Sequence, residues 1–211
     1  MLPDFSPPAD GGREQALRER FDAAARSPAG LFSYPTGAAG LAALGYPADI
    51  LASLPQEVLA CYCGVGDPFE PDAVRPGETI LDVGCGAGVD AIIAARLAGA
   101  QGLVAGLEFS LAMLGRAAHN ARLAHADKLL LTAGRADRLP YGGAVFDRVI
   151  SNGVFNLVAD KAAALAEAHR VLKPGGVMVV ADQALDADAG ESCPLPSANA
   201  SAQERARAWA R

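Results

Sequence analysis

Over the second half of the chain, short apolar runs that stop at glycine alternate with longer stretches whose apolar residues recur at helical spacing. Thr79-Ile80-Leu81-Asp82-Val83 is one such run, and its length and flanks predict a buried strand. Val89 to Ala98 follows as a helix and Gly102 to Leu107 as a second strand. Ser110 is placed to cap a helix reaching about Leu123, because its hydroxyl can accept from a free N–H of the first turn. Leu129 to Thr132 and Val145 to Ser151 predict two further strands. Lys161 to Leu172 predicts a helix closed by Lys173-Pro174-Gly175-Gly176, and Val177 to Ala181 the last strand. Val177-Met178-Val179-Val180 is apolar without alternation, as expected of a strand covered on both faces. Strands alternating with helices make this an α/β fold, a parallel sheet with helices on both faces.

The first half reads differently. Its first twelve residues are rich in proline and glycine and predict loose chain. Arg13 to Arg26 carries Leu17, Phe21 and Ala24 at helical spacing among charges, an amphipathic helix ending near Ser27-Pro28. Pro47 and Pro55 each open a short helical piece, since proline fits the first turn. Gly64 to Gly77 reads as loop.

Composition narrows the function classes. The chain has 211 residues, 51% hydrophobic and 20% charged, with a net charge of -6, which fits a globular domain and not a disordered one. Eighteen Lys+Arg against 24 Asp+Glu leave no basic stripe, so no nucleic-acid partner is expected. Four cysteines are too few for a disulfide scaffold. The start, Met1-Leu2-Pro3-Asp4-Phe5, has neither a basic nor an apolar leader region. Ala91 to Leu107 is interrupted by Arg96, Gly99, Gln101 and Gly102, so no membrane span is expected either. The expectation is a cytoplasmic protein acting on a small molecule, and the pattern is silent on oligomeric state.

The chemistry concentrates in Leu81-Asp82-Val83-Gly84-Cys85-Gly86-Ala87-Gly88, where a strand ends and a helix begins. Glycines there let backbone approach a ligand, and the helix start offers free N–H donors. Glu108, at the tip of the next strand, is a carboxylate able to accept both hydroxyls of an adenosine ribose. A dinucleotide fingerprint needs glycine or alanine where this chain has Val89, and makes no use of Asp82. Gly84-x-Gly86-x-Gly88 with Asp82 ahead instead resembles motif I of class I S-adenosylmethionine-dependent methyltransferases. Phe146-Asp147-Arg148-Val149-Ile150-Ser151-Asn152 resembles their fourth-strand motif, and Arg170-Val171-Leu172-Lys173-Pro174-Gly175-Gly176 their Pro-Gly-Gly turn. Upstream, Tyr34-Pro35-Thr36-Gly37, Leu44-Gly45-Tyr46 and Gly64-Val65-Gly66-Asp67-Pro68-Phe69 extend the likeness to bacterial arsenite methyltransferase-like proteins, from about residue 30 to 182.

The resemblance implies a Rossmann-like class I core over 77–186, an N-terminal helical lid over 1–76 and a polar tail over 187–211, the last a shortened substrate subdomain. It implies S-adenosyl-L-methionine as cofactor. Gly84, Gly86 and Gly88 would line its methionine part, with Cys85 inside the same loop and Asp82 supporting the loop or the amino group. Glu108 would hold the ribose, with Phe109, Met113, Ala136 and Asp137 near the adenine and Asn152 near the reactive methyl. Many relatives have Asp after the glycine at 134. This chain has Arg135, an all-donor side chain, with Asp137 two residues on.

The same resemblance implies arsenite methylation. Trivalent arsenic carries its own lone pair and needs no general base, but it needs soft sulfur ligands. Cys61 and Cys63, flanking Tyr62, are the candidate arsenic ligands and, with Asn152, the candidate catalytic residues. Cys85 reads as a small buried residue of the cofactor loop, and Cys193 lies in the tail. Arsenite methyltransferases commonly place a cysteine where this chain has Gly153. Two alternatives therefore stand beside the first: methylation of a small organic acceptor, with Asp137 or a tyrosine as base, and a non-catalytic cofactor-binding or metalloid-sensing protein. His119, His125 and His169 read as solvated or packed, while Tyr34 and Tyr62 are candidates for orienting a substrate. The five strands end near Ala181, whereas the resemblance implies two more, so the chain is expected to be a minimal version or to lack part of the substrate site.

Overall fold

A computed structural model describes residues 10–183. Cys193 and the polar tail lie outside the described residues. The N-terminal part contains α1 (Asp10–Ala24), α2 (Gly37–Leu44), α3 (Ala48–Ala52) and α4 (Gln56–Leu59). Alternating elements follow: β1 (Thr79–Val83), α5 (Val89–Ala98), β2 (Leu103–Glu108), α6 (Leu111–Leu123), β3 (Leu129–Ala133), β4 (Phe146–Asn152), α7 (Lys161–Val171) and β5 (Leu172–Ala181). Each predicted strand and helix is present to within a residue or two, except that α1 begins three residues earlier, inside the stretch expected to be loose, and β5 begins five residues earlier. Phe146 pairs with Leu172 and Arg148 with Val177, so Lys173-Pro174-Gly175-Gly176 loops out inside the strand.

The structure adds α2, which the hydrophobic pattern does not announce. Its sequence, GAAGLAAL, is glycine-rich and carries no polar face. Tertiary burial of Leu41 and Leu44, with Gly45 in the left-handed region at φ 88°, supplies what local propensity lacks.

All strand pairs are parallel, in the order β3-β2-β1-β4-β5. The chain enters the sheet at its centre, builds outward through β2 and β3, then crosses to β4 and β5. The reversal falls between β1 and β4, and a crevice opens there beyond the strand ends. The central strand is buried on both faces: Ile80, Leu81 and Val83 expose 1% or less. α5 is packed almost all round, with Ala91 to Ala94 fully buried.

The capping chemistry predicted from sequence is present, since the Ser110 hydroxyl accepts from the Met113 N–H at 3.1 Å. Asp160 caps α7 in the same way, accepting from the Ala163 N–H at 2.9 Å. Leu41, Val58 and Leu59 pack in one cluster with Ile80, Ile92 and Ile93, so the N-terminal helices share the core of the sheet. No helix among the described residues is long and apolar enough to cross a membrane.

Candidate active site

A cavity of about 440 Å³ opens beyond the ends of β1, β2 and β4, walled on one side by α1. Its floor is the loop between β1 and α5. Gly84 and Gly86 sit at φ 73° and 53°, a region any larger residue enters only with strain. A Cβ on Gly84 would collide with the Val154 side chain, so the loop passes close under the segment that follows β4 as only glycine allows.

Two carboxylates fix the polar end. Glu108 accepts from the Gly86 N–H at 2.9 Å and the Ser110 N–H at 2.8 Å, which locks it at the β2 tip. Asp82 is 2% exposed and lines the cavity, and its Oδ2 has no hydrogen-bond partner. An unpaired buried carboxylate oxygen is costly unless a ligand donor completes it. Burial raises the pKa values of both groups, with the neighbouring Asp90 charge adding to Asp82 and backbone N–H bonds opposing the rise at Glu108. The set suits a ligand with ribose hydroxyls and an ammonium group, as the cofactor implied by the motif has.

The other expected cofactor residues divide. Cys85, Phe109, Ala136 and Asp137 line the cavity. The Phe109 ring is packed by Phe21 edge-on at 6.2 Å and by the Arg18 guanidinium at 5.2 Å. Gly88 and Met113 do not line it. Gly88 is the left-handed residue ahead of α5 and faces Ala117, where an added Cβ would come within 3.1 Å. Met113 is 1% exposed in the core. Their contribution is helix packing beneath the loop.

Arg135, the departure noted in the sequence, is bonded on both sides. Its Nε and Nη2 donate to Asp137 at 3.0 and 2.9 Å, and Nη1 donates to Glu14 of α1 at 2.6 Å. The carboxylate of Asp137 is thus held below the usual range by Arg135, which makes it a weak base. Tyr34, Tyr46 and Tyr62 are pushed the other way, chiefly by burial, and stay protonated.

Asn152 lies at the cavity wall, but its amide is occupied within the protein. Oδ1 accepts from the N–H groups of Val65 and Gly66 at 2.7 and 3.1 Å. Nδ2 lies 2.7 Å from the Gly66 carbonyl and 2.9 Å from Asp90 Oδ2, donating to both. Asp90 and Tyr46 complete this knot; Tyr46 stood in the Leu44-Gly45-Tyr46 motif without an assigned role, and Asp90 was not singled out by sequence reasoning. The Tyr46 hydroxyl donates to Asp90 Oδ1 at 2.7 Å. The one sequence signal for Asp90 is an acidic residue at the second position of a helix whose next five residues are all apolar.

Cys61, Cys63 and Cys85 are free thiols and all line the cavity. The Cys61 Sγ donates to the Glu57 carbonyl at 3.3 Å. Burial, together with the charges of Glu108 and Asp90, pushes the Cys63 thiol up to about 12. Among the described residues no group of three or more His, Cys, Asp or Glu side chains is arranged to hold a metal ion by itself. The histidines stand away from the site: His119 pairs with Glu57 at 2.9 Å, and His125 and His169 are exposed.

A family model described as a methyltransferase domain matches residues 75–209. The chain is similar to the arsenite methyltransferase of Halobacterium salinarum, 36% identical over 153 residues covering 72% of this chain and 39% of that one. It is also similar to the demethylmenaquinone methyltransferase of Oceanobacillus iheyensis, 40% identical over 106 residues covering 50% and 44%. Among solved structures, the arsenic(III) S-adenosylmethionine methyltransferase CrArsM of Chlamydomonas reinhardtii aligns with a TM-score of 0.54 and 34% identity, covering 70% of this chain and 49% of that one. The chain spans about two-fifths of the length of the arsenite methyltransferases it matches.

Proposed function

The chain belongs to the class I S-adenosylmethionine-dependent methyltransferases, on the arsenite methyltransferase-like branch, and from this we propose that it transfers a methyl group to trivalent arsenic held by cysteine sulfur. The observation that carries the proposal is the position of Cys61 and Cys63 on the wall of the same cavity as Asp82 and Glu108.

When bound, S-adenosylmethionine supplies a methyl carbon activated by its sulfonium leaving group. Glu108 would hold the ribose hydroxyls, and the unpaired Asp82 oxygen would accept from the ammonium. Phe109 and Ala136, which line the cavity, would flank the adenine. Cys61 and Cys63 supply two sulfurs, and a small thiol brought by the substrate supplies the third. Each As–OH condenses with an S–H to give As–S and water, so the thiol proton leaves in the water. The raised Cys63 pKa is therefore no obstacle. Positioning is the main contribution, because the arsenic lone pair is itself the nucleophile.

An organic acceptor that must lose a proton is less well served. Asp137 is held low by Arg135, the tyrosines are held protonated, and both Asp90 oxygens already accept hydrogen bonds. The test is incubation with arsenite, a small thiol and S-adenosylmethionine, followed by speciation of arsenic. Methylated arsenic that disappears in Cys61→Ser and Cys63→Ser variants is expected. No methylated arsenic, with S-adenosylhomocysteine still bound in calorimetry, would remove the arsenic acceptor and leave the family unaffected. Arsenite bound without turnover would identify a sensor.

A further inference from the structure

We propose that Asp90 is a positioning residue: through Tyr46 and Asn152 it ties the acceptor-side loop Gly64–Gly66 to the start of α5, the helix that follows the cofactor-side glycine loop. The inference rests on the functional reading for the naming of the two sides, while the tie itself is a matter of geometry.

Asp90 is 8% exposed, in the first turn of α5, two residues after Gly88. One of its oxygens accepts from the Tyr46 hydroxyl at 2.7 Å and the other from Asn152 Nδ2 at 2.9 Å. The opposite edge of the Asn152 amide accepts from both Val65 N–H and Gly66 N–H. An ionised Asp90 polarises that amide and makes Oδ1 a stronger acceptor, so charge on α5 is felt as tighter bonding of the loop. Nothing larger than glycine fits at 64, where a Cβ would run into Asn152 and lie 2.6 Å from the Tyr62 hydroxyl, so the loop lies flat on this knot. Cys63 and Val65, on either side, wall the cavity.

The network also has a place for a proton. Besides Asp90, the Tyr46 hydroxyl has the Gly66 carbonyl within 3.0 Å. A protonated Asp90 can donate to Tyr46, which then donates to Gly66, and the loop keeps neutral hydrogen bonds in place of charge-assisted ones. Asp90 is pushed up to about 7 by burial and by Asp67, against the hydrogen bonds from Tyr46 and Asn152. The other titratable groups coupled to it are Asp82 at the β1 tip, and Tyr62 and Cys63 on the segment before the loop. A cation seated among Asp82, Asp90 and Glu108 favours the ionised form, so filling the cofactor side tightens the acceptor side.

Amide hydrogen exchange at Val65 and Gly66, corrected for intrinsic rates and followed from pH 5 to 8 in the full chain, tests this without any turnover. In the wild type the protection of both amides should rise by about tenfold as Asp90 ionises, with sheet amides such as Leu81 unchanged. Asp90→Asn, which mimics the protonated carboxyl, should hold them at the low-pH value throughout. Tyr46→Phe removes a hydrogen bond that favours the charge and should move the midpoint to higher pH. A flat wild-type profile, or an unaltered rise in Asp90→Asn, would overturn the proposal. Adding S-adenosylmethionine, whose sulfonium leaves it a net cation, should move the midpoint to lower pH. If the ligand does not bind, the functional reading fails while the ligand-free titration still decides the role of Asp90.

Discussion

Single residues decide what this site can hold, and Gly153 shows how. The position at which the family resemblance implies a cysteine carries a glycine at φ 73°, on the cavity wall, with Val65 the nearest neighbour of an added Cβ at 3.5 Å. Space is therefore available, but the backbone conformation penalises a side chain. Gly153→Cys is expected to cost about 1–2 kcal/mol of stability, the usual strain of a left-handed non-glycine residue. It should also strengthen arsenite binding by placing a third thiol on the wall that carries Cys63. Thermal unfolding together with arsenite titration reads both effects. Destabilisation with unchanged arsenite affinity would count against this wall as the arsenic site. Cys85 is a different kind of thiol. Burial and the charges of Asp82 and Glu108 raise its pKa, and its place in the glycine loop makes it a packing residue.

At the level of elements, the question is what keeps α1 against the cavity. Three kinds of contact are available. The Arg135–Glu14 ion pair is half exposed at both ends, and such pairs contribute at most about 1 kcal/mol. Polar bonds add to it, from the Ser110 hydroxyl to Asp22 at 2.6 Å and from Arg116 to the Ala25 carbonyl at 2.9 Å. The aromatic contact of Phe21 with Phe109 and Phe32 buries apolar surface, at ring distances of 6.2 and 6.4 Å. Of these, the apolar contact is the least screened by salt. Phe21→Ala is expected to lose about 1–2 kcal/mol and to open α1 to limited proteolysis. Arg135→Ala should leave the cleavage rate within about fivefold. Equal effects of the two substitutions would show that the ion pair holds α1 more strongly than its exposure allows.

At the scale of the whole molecule, buried acids set the pH dependence of stability. Asp82, Asp90 and Glu108 have folded-state pKa values above their ordinary ones, that of Asp90 reaching about 7. Between their unfolded and folded values the folded chain holds protons that the unfolded chain has released, so stability falls as pH rises from about 4 to 7. Glu14, Asp137, Asp147 and Glu167 are shifted the other way, Glu167 to about 2 beside Arg170. Their contribution is complete above the unfolded values and is lost as pH falls through the folded ones. The two groups together place the stability maximum at about pH 5. Melting temperatures measured from pH 3 to 8 should pass through that maximum, and a monotonic rise to pH 8 would contradict it. Asp90→Asn should flatten the neutral side of the curve.

The sheet was legible in advance because parallel strands are covered on both faces, so Thr79–Val83 and Val177–Ala181 show in the chain as apolar runs cut by glycine. The glycine loop and Glu108 were legible for a similar reason. A backbone that must turn sharply at one strand tip and a carboxylate at the next are requirements met within about thirty consecutive residues. α2 was not legible, because its helix depends on burying Leu41 and Leu44 against remote neighbours. Nor was the role of Asp90, whose partners Tyr46 and Asn152 lie 44 and 62 positions away. Propensity, capping and hydrophobic runs act between residues close in the chain, and they already specify the elements, the cofactor loop and the family. Hydrogen bonds act only within about 3 Å. Which distant side chains meet at that distance, and with them the knot of Asp90, Tyr46 and Asn152 and the sharing of one cavity by three thiols, is settled only when the elements pack.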